Sequence, residues 1–290
     1  MMRIRGFTRS SLQLNACFDG FAHIMPRFDA PSCRFVVLVS GHGSNLRALH
    51  QAMVQVPESE PEPFDHSLVD ATSGQVPRVI KDSVDNSVVG SNAGLTTDLK
   101  ANSNKGSVVG VISNRPLAQA LVWAHEQGIP TEVIDHHLYE SREAFDVALS
   151  QAIDTFKPDF ILLAGFMRIL TPKFVNTYLG RLINIHPSLL PALPGLHTHA
   201  RALEAGLLQH GCTVHFVTPE LDHGPTIAQG VLNIEPQDTV ESLAQRVQKI
   251  EHVVYPTVAR WLADGLVSLT SDQTVHIKNV TQRLFLESSP

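Results

Sequence analysis

Phe35-Val36-Val37-Leu38-Val39-Ser40-Gly41-His42-Gly43-Ser44-Asn45 is the stretch on which the fold turns. Its first half is a continuous apolar run of the kind found in a strand buried on both faces. Its second half is a glycine turn leading straight into a helical pattern at Leu46, Leu49 and Met53. Strand, glycine turn and helix together aim backbone N–H groups and a helix N-terminus at an anion, with Ser44 and Asn45 placed to cap the helix or bond the ligand. The same residues also make a tight turn with an ordinary serine or asparagine cap. The stretch lacks the Gly-Lys-Ser/Thr ending of a P-loop, and Leu46 stands where the last glycine of Gly-x-Gly-x-x-Gly would fall. One phosphomonoester therefore fits better than a whole nucleotide.

Downstream, the regular pattern dissolves over residues 56–107 into Pro57, Pro61, Pro63 and Pro77 among serines, asparagines and aspartates. Such a composition buries too little surface to offset its ordering entropy and reads as a disordered insertion. Ser87-Val88-Val89-Gly90 recurs as Ser107-Val108-Val109-Gly110, and the second copy is read as the strand because Asn114-Arg115-Pro116 and a helix through Ala118, Leu121 and Ala124 follow it. Strands are then expected at 132–134 and 160–164, a helix over 141–156, and a helix opened by Thr171-Pro172, with a cap and a proline at its first position. Strands alternating with helices specify an α/β fold, a Rossmann-like, doubly wound, mostly parallel sheet whose ligands sit beyond the carboxyl ends of the strands. Residues 212–217 and 226–233 change period and read as exposed or half-buried strands, and 240–262 as a long helix.

The next strand end is Asn184-Ile185-His186-Pro187-Ser188-Leu189-Leu190-Pro191. Side chains alternate along a strand, so Asn184 and His186 point the same way. An amide that donates hydrogen bonds beside an imidazole that carries a proton near neutral pH suits a reaction through a charged tetrahedral intermediate. Taken alone, the motif is also that of a satisfied histidine closing a strand. Leu221-Asp222-His223-Gly224-Pro225, taken alone, reads as a hairpin turn, and Gln248 and Glu251 as a solvated helix face.

The chain has 290 residues, 43% of them hydrophobic and 17% charged, with a net charge of −6. These values describe a globular protein and argue against a nucleic-acid partner, since no basic stripe offsets the negative charge. Cys17, Cys33 and Cys212 form no Cys-x-x-Cys pair, so neither a disulfide framework nor a zinc site is expected. No apolar run reaches the roughly 20 residues of a membrane span, and a cytoplasmic location is expected. Residues 1–33, with Arg3, Arg5, Arg9 and Arg27, read as a disordered extension or an upstream start with Met25 as the alternative, rather than a targeting signal. The domain is placed at 34–270, with 271–290 as a tail.

Taken together, Ser40-Gly41-x-Gly43-Ser44-Asn45-Leu46, Ile112-Ser113-Asn114, Ala164-Gly165-Phe166-Met167-Arg168-Ile169-Leu170, the 184–191 stretch, Val214-His215-Phe216-Val217 and Leu221-Asp222-x-Gly224 resemble the phosphoribosylglycinamide formyltransferase family in identity and order. The resemblance implies a formyltransferase fold, 10-formyltetrahydrofolate as co-substrate, glycinamide ribonucleotide as acceptor, a place in purine biosynthesis, no metal, and a monomer or homodimer. It implies catalytic roles for Asn184, His186 and Asp222, and a ribonucleotide site at Gly43, Ser44, Asn45, Gln248 and Glu251. The folate site it implies comprises Arg142, Met167, Arg168, Ile169, Leu170, Asn184, Thr218, Pro219, Glu220, Leu221 and Asp222. A cis bond is expected at Leu190-Pro191. His42 and His223 depart from the family pattern.

On this reading the glycinamide amine attacks the formyl carbon, Asn184 and a protonated His186 stabilise the oxygen that gains charge, and Asp222 favours the protonated ring. The rival within the same chemistry is formyltetrahydrofolate deformylase, a hydrolase that needs no phosphate site and continues Asn-Ile-His with His-Ser-Phe. A methionyl-tRNA formyltransferase would need an added basic domain. A catalytically silent folate- or phosphate-binding protein is the alternative from another class, and its catalytic positions should have decayed.

Overall fold

The computed structural model describes residues 32–54 and 105–287. The expectations for 1–31 and for 55–104 lie outside the described residues. Among the described residues, ten strands and six α-helices follow one another as β1 (Cys33–Val39), α1 (Ser44–Val54), β2 (Gly106–Ser113), α2 (Gln119–Glu126), β3 (Thr131–Val133), α3 (Arg142–Thr155), β4 (Phe160–Leu163), α4 (Pro172–Thr177), β5 (Leu182–His186), α5 (Thr198–Glu204), β6 (Gln209–Phe216), β7 (Thr226–Asn233), α6 (Val240–Ala263), β8 (Val267–Leu269), β9 (Val275–Ile277) and β10 (Leu284–Leu286).

Eight strands form one sheet in the order β10-β7-β6-β5-β4-β1-β2-β3. Within it β6 alone, antiparallel to β5 and β7, runs against the rest. Strand order reverses between β1 and β4, the place where a doubly wound sheet opens a crevice at its carboxyl edge.

The period-two alternation of β1 divides the core. Phe35, Val37 and Val39 pack with α1, α2 and α6, whereas Val36 and Leu38 pack with α3 and α4. β4 repeats the division, with Phe160 and Leu162 on the first face and Ile161 and Leu163 on the second. Both faces are covered, so the strands read as unbroken apolar runs. Each buried Val, Leu, Ile or Phe contributes about 1.5–3 kcal/mol. Helix starts are fixed locally: Ser141 Oγ accepts from the Ala144 N–H (3.1 Å), Thr171 Oγ1 from the Phe174 N–H (3.3 Å) ahead of Pro172, and Thr239 forms a capping box with Ser242.

Two features differ from the sequence reading. β6 and β7, expected to be exposed or half-buried, are almost wholly buried. Their alternating polar residues do not face solvent. Thr213 Oγ1 donates to the Ser188 carbonyl (2.7 Å) and Gln229 Nε2 to the Leu190 carbonyl (2.9 Å), so the polar positions anchor the loop after β5. The stretch set apart as a tail carries β9 and β10, and β10 pairs with β7 at the sheet edge. Phe285 lies against Trp261, and Arg246 on α6 bridges Asp238 and Glu287. Unlike β3, which its place in the strand–helix alternation marked, β10 follows the last helix and has no such neighbour to mark it.

Candidate active site

At the carboxyl end of β1 the chain turns through Gly43, whose φ of +77° suits glycine. A Cβ there would also lie 2.6 Å from the Ala120 Cβ, so the loop and the start of α2 pack at glycine distance. The Arg47 N–H donates to the Gly43 carbonyl (3.0 Å) as α1 begins. Two bonds then fasten α1 to the middle of α6: Gln248 Nε2 donates to Ser44 Oγ (3.0 Å) and Asn45 Nδ2 to Glu251 Oε2 (2.8 Å). Glu251 is buried, which excludes the solvated-face reading for that residue while Gln248 is exposed, and burial pushes the Glu251 carboxyl up to about 7, against the opposing pull of the Asn45 bond. Asn45 Oδ1 is buried without a partner among the described residues. The four polar side chains implied as ribonucleotide-binding therefore form one cluster at the N-terminus of α1.

Ser40, buried at the end of β1, ties three strand ends together. It donates to Asn114 Oδ1 (2.5 Å) after β2 and accepts from the Met167 N–H (2.8 Å) after β4. The loop from Met167 to Leu170 is held from α3 as well, since Arg142 Nη2 donates to the carbonyls of Ile169 (2.8 Å) and Leu170 (3.4 Å). Asp146 accepts from the Thr171 N–H (2.7 Å), and the Arg168 guanidinium lies 5.6 Å from the Phe145 ring centre. Met167 and Ile169 are left exposed on this rim.

Asn184 and His186 lie at the end of β5, next to β4, and share a face of the strand as their spacing requires. His186 Nδ1 is 3.6 Å from Asp222 Oδ2, and its Nε2 donates to the Leu193 carbonyl (3.1 Å). Asp222 has a φ of +55° and accepts from the Gly195 N–H (2.8 Å), so the loop after β5 and the loop between β6 and β7 are pinned to each other beside the imidazole. Within the β6–β7 connection Gly224 packs against the end of β6 at glycine distance, because a Cβ there would lie 1.7 Å from the Phe216 carbonyl oxygen. The Leu190-Pro191 bond is cis. In the loop between β6 and β7, Thr218 Oγ1 donates to the Glu220 carbonyl (3.2 Å), Pro219 and Leu221 complete the turn, and His223 Nδ1 is 3.7 Å from Glu220 Oε1. His42 is exposed in the loop after β1.

Sequence reasoning quoted His215 within a motif but gave it no role. It stands opposite Asn184 in the β5–β6 pairing, its Nδ1–H donates to the Phe216 carbonyl (2.9 Å), and its Nε2 accepts from Asn184 Nδ2 (3.3 Å). Burial pushes this imidazole down to about 4, which keeps it neutral and able to accept. His215 is thus the residue that orients the Asn184 amide. The half-buried His199 and the buried His210 form a second pair, Nδ1 to Nε2 at 3.0 Å, and burial first and neighbouring histidines second lower both. Tyr255 of α6 places its hydroxyl by the Leu163 (3.1 Å) and Ile183 (3.2 Å) carbonyls, under the ends of β4 and β5. These roles come from register and helix docking, for which local sequence holds no signal.

Residues 87–259, more than half of the chain, match the formyl transferase family, and the chain belongs to it. Within that family its likeness is to the phosphoribosylglycinamide formyltransferases. The enzyme of that name from Escherichia coli (strain K12) is 49% identical over 170 residues, covering 59% of this chain and 80% of that one. The structure of the phosphoribosylglycinamide formyltransferase in complex with CHES from Coxiella burnetii superposes with a TM-score of 0.67 at 36% identity, over 88% of this chain and 99% of that chain. The Homo sapiens trifunctional purine biosynthetic protein adenosine-3 is 41% identical over 242 residues, 83% of this chain but 19% of that protein. No helix among the described residues is long and apolar enough to cross a membrane.

Proposed function

We propose that this chain moves a formyl group from 10-formyltetrahydrofolate to the amine of 5'-phosphoribosylglycinamide, giving formylglycinamide ribonucleotide and tetrahydrofolate. The observation that carries this reading is the pairing of two clusters along one sheet edge. One is an anion-suited loop fastened to α6 through Ser44–Gln248 and Asn45–Glu251, and the other is the Asn184, His186 and Asp222 group at the end of β5.

The phosphate of the ribonucleotide meets the backbone N–H groups at Gly43, Ser44 and Asn45, where the α1 dipole favours it. Glu251 and Gln248 receive the rest of the ribonucleotide. The folate rests against the rim of Met167, Arg168, Ile169 and Leu170 and the loop of Thr218, Pro219, Glu220, Leu221 and Asp222, with Arg142 at its outer end. The uncharged amine attacks the formyl carbon, and the formyl oxygen gains negative charge as the centre becomes tetrahedral. Asn184, oriented by His215, donates to that oxygen, and so does a protonated His186 as its Nε2–H exchanges the Leu193 carbonyl for the substrate, each worth roughly 3 kcal/mol when well aimed. Asp222, 3.6 Å from His186 Nδ1, orients the ring and orders water that carries the proton from the attacking amine to the leaving folate nitrogen. Collapse then breaks the bond from carbon to that nitrogen. The chain works in the cytoplasm on small-molecule substrates, without nucleic acid, as a monomer or homodimer.

The test is a spectrophotometric assay of the purified protein with a 10-formyl folate, with and without the ribonucleotide. Deformylation only in its presence, with formylated product, is the expected result. Equal turnover without it identifies a hydrolase, and no turnover in either case returns the chain to a binding role.

A further inference from the structure

Beyond β3, on the rim next to Asn114, Asp135, His136 and His137 follow one another into the 3-10 turn His136–Leu138. The turn folds their side chains together. One donor atom from each residue, a carboxylate oxygen and two ring nitrogens, lies within 4.8 Å of the other two, and the two rings face each other with centres 3.9 Å apart. Among the described residues this is the one such group.

Its members are held from behind. Asp135 Oδ1 accepts from the His137 N–H (3.0 Å), which sets the turn, and lies 3.8 Å from His136 Nδ1. His136 Nδ1 donates to the Asn114 carbonyl (2.9 Å), the kind of backbone anchor that fixes ring orientation in ligating histidines. Asp135 and His136 are half-buried, and His137 is exposed, so a hydrated ion can reach the group from solvent.

We propose that Asp135, His136 and His137 bind a Zn2+ ion at the rim of the crevice, outside the formyl-transfer chemistry. Two imidazoles and one carboxylate are a donor set for zinc and its neighbours rather than for Mg2+ or Ca2+, which take oxygen ligands. Three protein ligands leave a fourth position for water. Bonds of about 2.1 Å in a tetrahedron set the donor atoms about 3.4 Å apart, so the exposed His137 ring swings inward when the ion binds. The occupied site would stiffen the Asn114 anchor, which through Ser40 also holds the Met167 backbone.

Untagged full-length protein is titrated with zinc sulfate against a chromophoric chelator, in wild type, His137→Ala and Asp135→Asn. His137 is exposed, so its truncation leaves packing intact, and Asp135→Asn keeps an acceptor for the turn. Because the chain carries 15 histidines, the difference between the isotherms isolates this site. Loss of a ligand should weaken one binding event by about tenfold or more in both variants, at least the effect of removing an outer-shell partner. A smaller change in either variant, including identical isotherms, overturns the proposal.

Discussion

At the α1 end of the crevice each anchoring residue lies in a regular element or one residue outside it, whereas at the β5 end Asn184 and His186 stand on the strand but Asp222 and the contacts that hold the imidazole lie on loops. Ser44 and Asn45 open α1, and Gln248 and Glu251 sit one turn apart on α6. Asp222 and Leu193 instead occupy left-handed backbone, next to a cis peptide at Leu190-Pro191, and are positioned by contacts between separate loops. Binding at the first end needs only a rigid frame with a helix dipole and two docked helices. The catalysis proposed for the second needs donors placed to fractions of an ångström, and buried polar anchors such as Thr213, His215 and Gln229 hold this end in place.

The sharpest way to separate the ends is His186→Ala, which removes the proposed imidazole donor and leaves the proposed ribonucleotide site untouched. Turnover should fall by about 10²–10⁴-fold, while ribonucleotide affinity, read by calorimetry, stays near that of the wild type. A parallel loss of affinity would show that the two ends are one unit. Gly224→Ala attacks the loop geometry itself. The added Cβ meets the Phe216 carbonyl at 1.7 Å, so the β6–β7 connection must shift; a loss of about 4 kcal/mol in denaturant unfolding is expected, together with loss of turnover. Unchanged stability would mean that the loop bends freely and places Asp222 by other means.

Glu251→Gln probes the helix-built end, with the smallest effect of the three. The carboxyl is raised in the folded state to about 7 from an ordinary value of 4.5, so the fold favours its protonated form. The stability it contributes is fully present below about pH 4.5 and is lost as pH rises through 7, up to about 3 kcal/mol. Thermal unfolding of the wild type should therefore weaken relative to Glu251→Gln between about pH 5 and pH 8. Parallel curves for the two proteins across that range would show that Glu251 is not desolvated.

What could be read in advance follows the same division. Phe35 to Asn45 announced a strand, a glycine turn and a helix because burial on both faces leaves an unbroken apolar run and the turn needs a positive φ at Gly43. Thr171-Pro172 and Ser141 marked helix starts, since capping is a contact between residues three apart. Asn184 and His186 were visible as a same-face pair, and the order of motifs pointed to the family. In β6 and β7 the pattern misled, because alternation of polar and apolar residues shows that one face differs without saying whether water or a buried loop lies against it.

By itself the sequence determined the doubly wound class, the places where chemistry could sit and the residue types available there, all from contacts short in sequence or from strand periodicity. Only the tertiary structure decided that His215 orients Asn184, that Glu251 is buried against Asn45, and that Gly195 holds Asp222 beside His186. It also decided that the last strand closes the sheet edge beside β7. The physical reason is common to these cases: each joins groups 27 to 206 residues apart or fixes the register of separate strands, and such pairing is set by how whole elements pack rather than by the residues next to each partner.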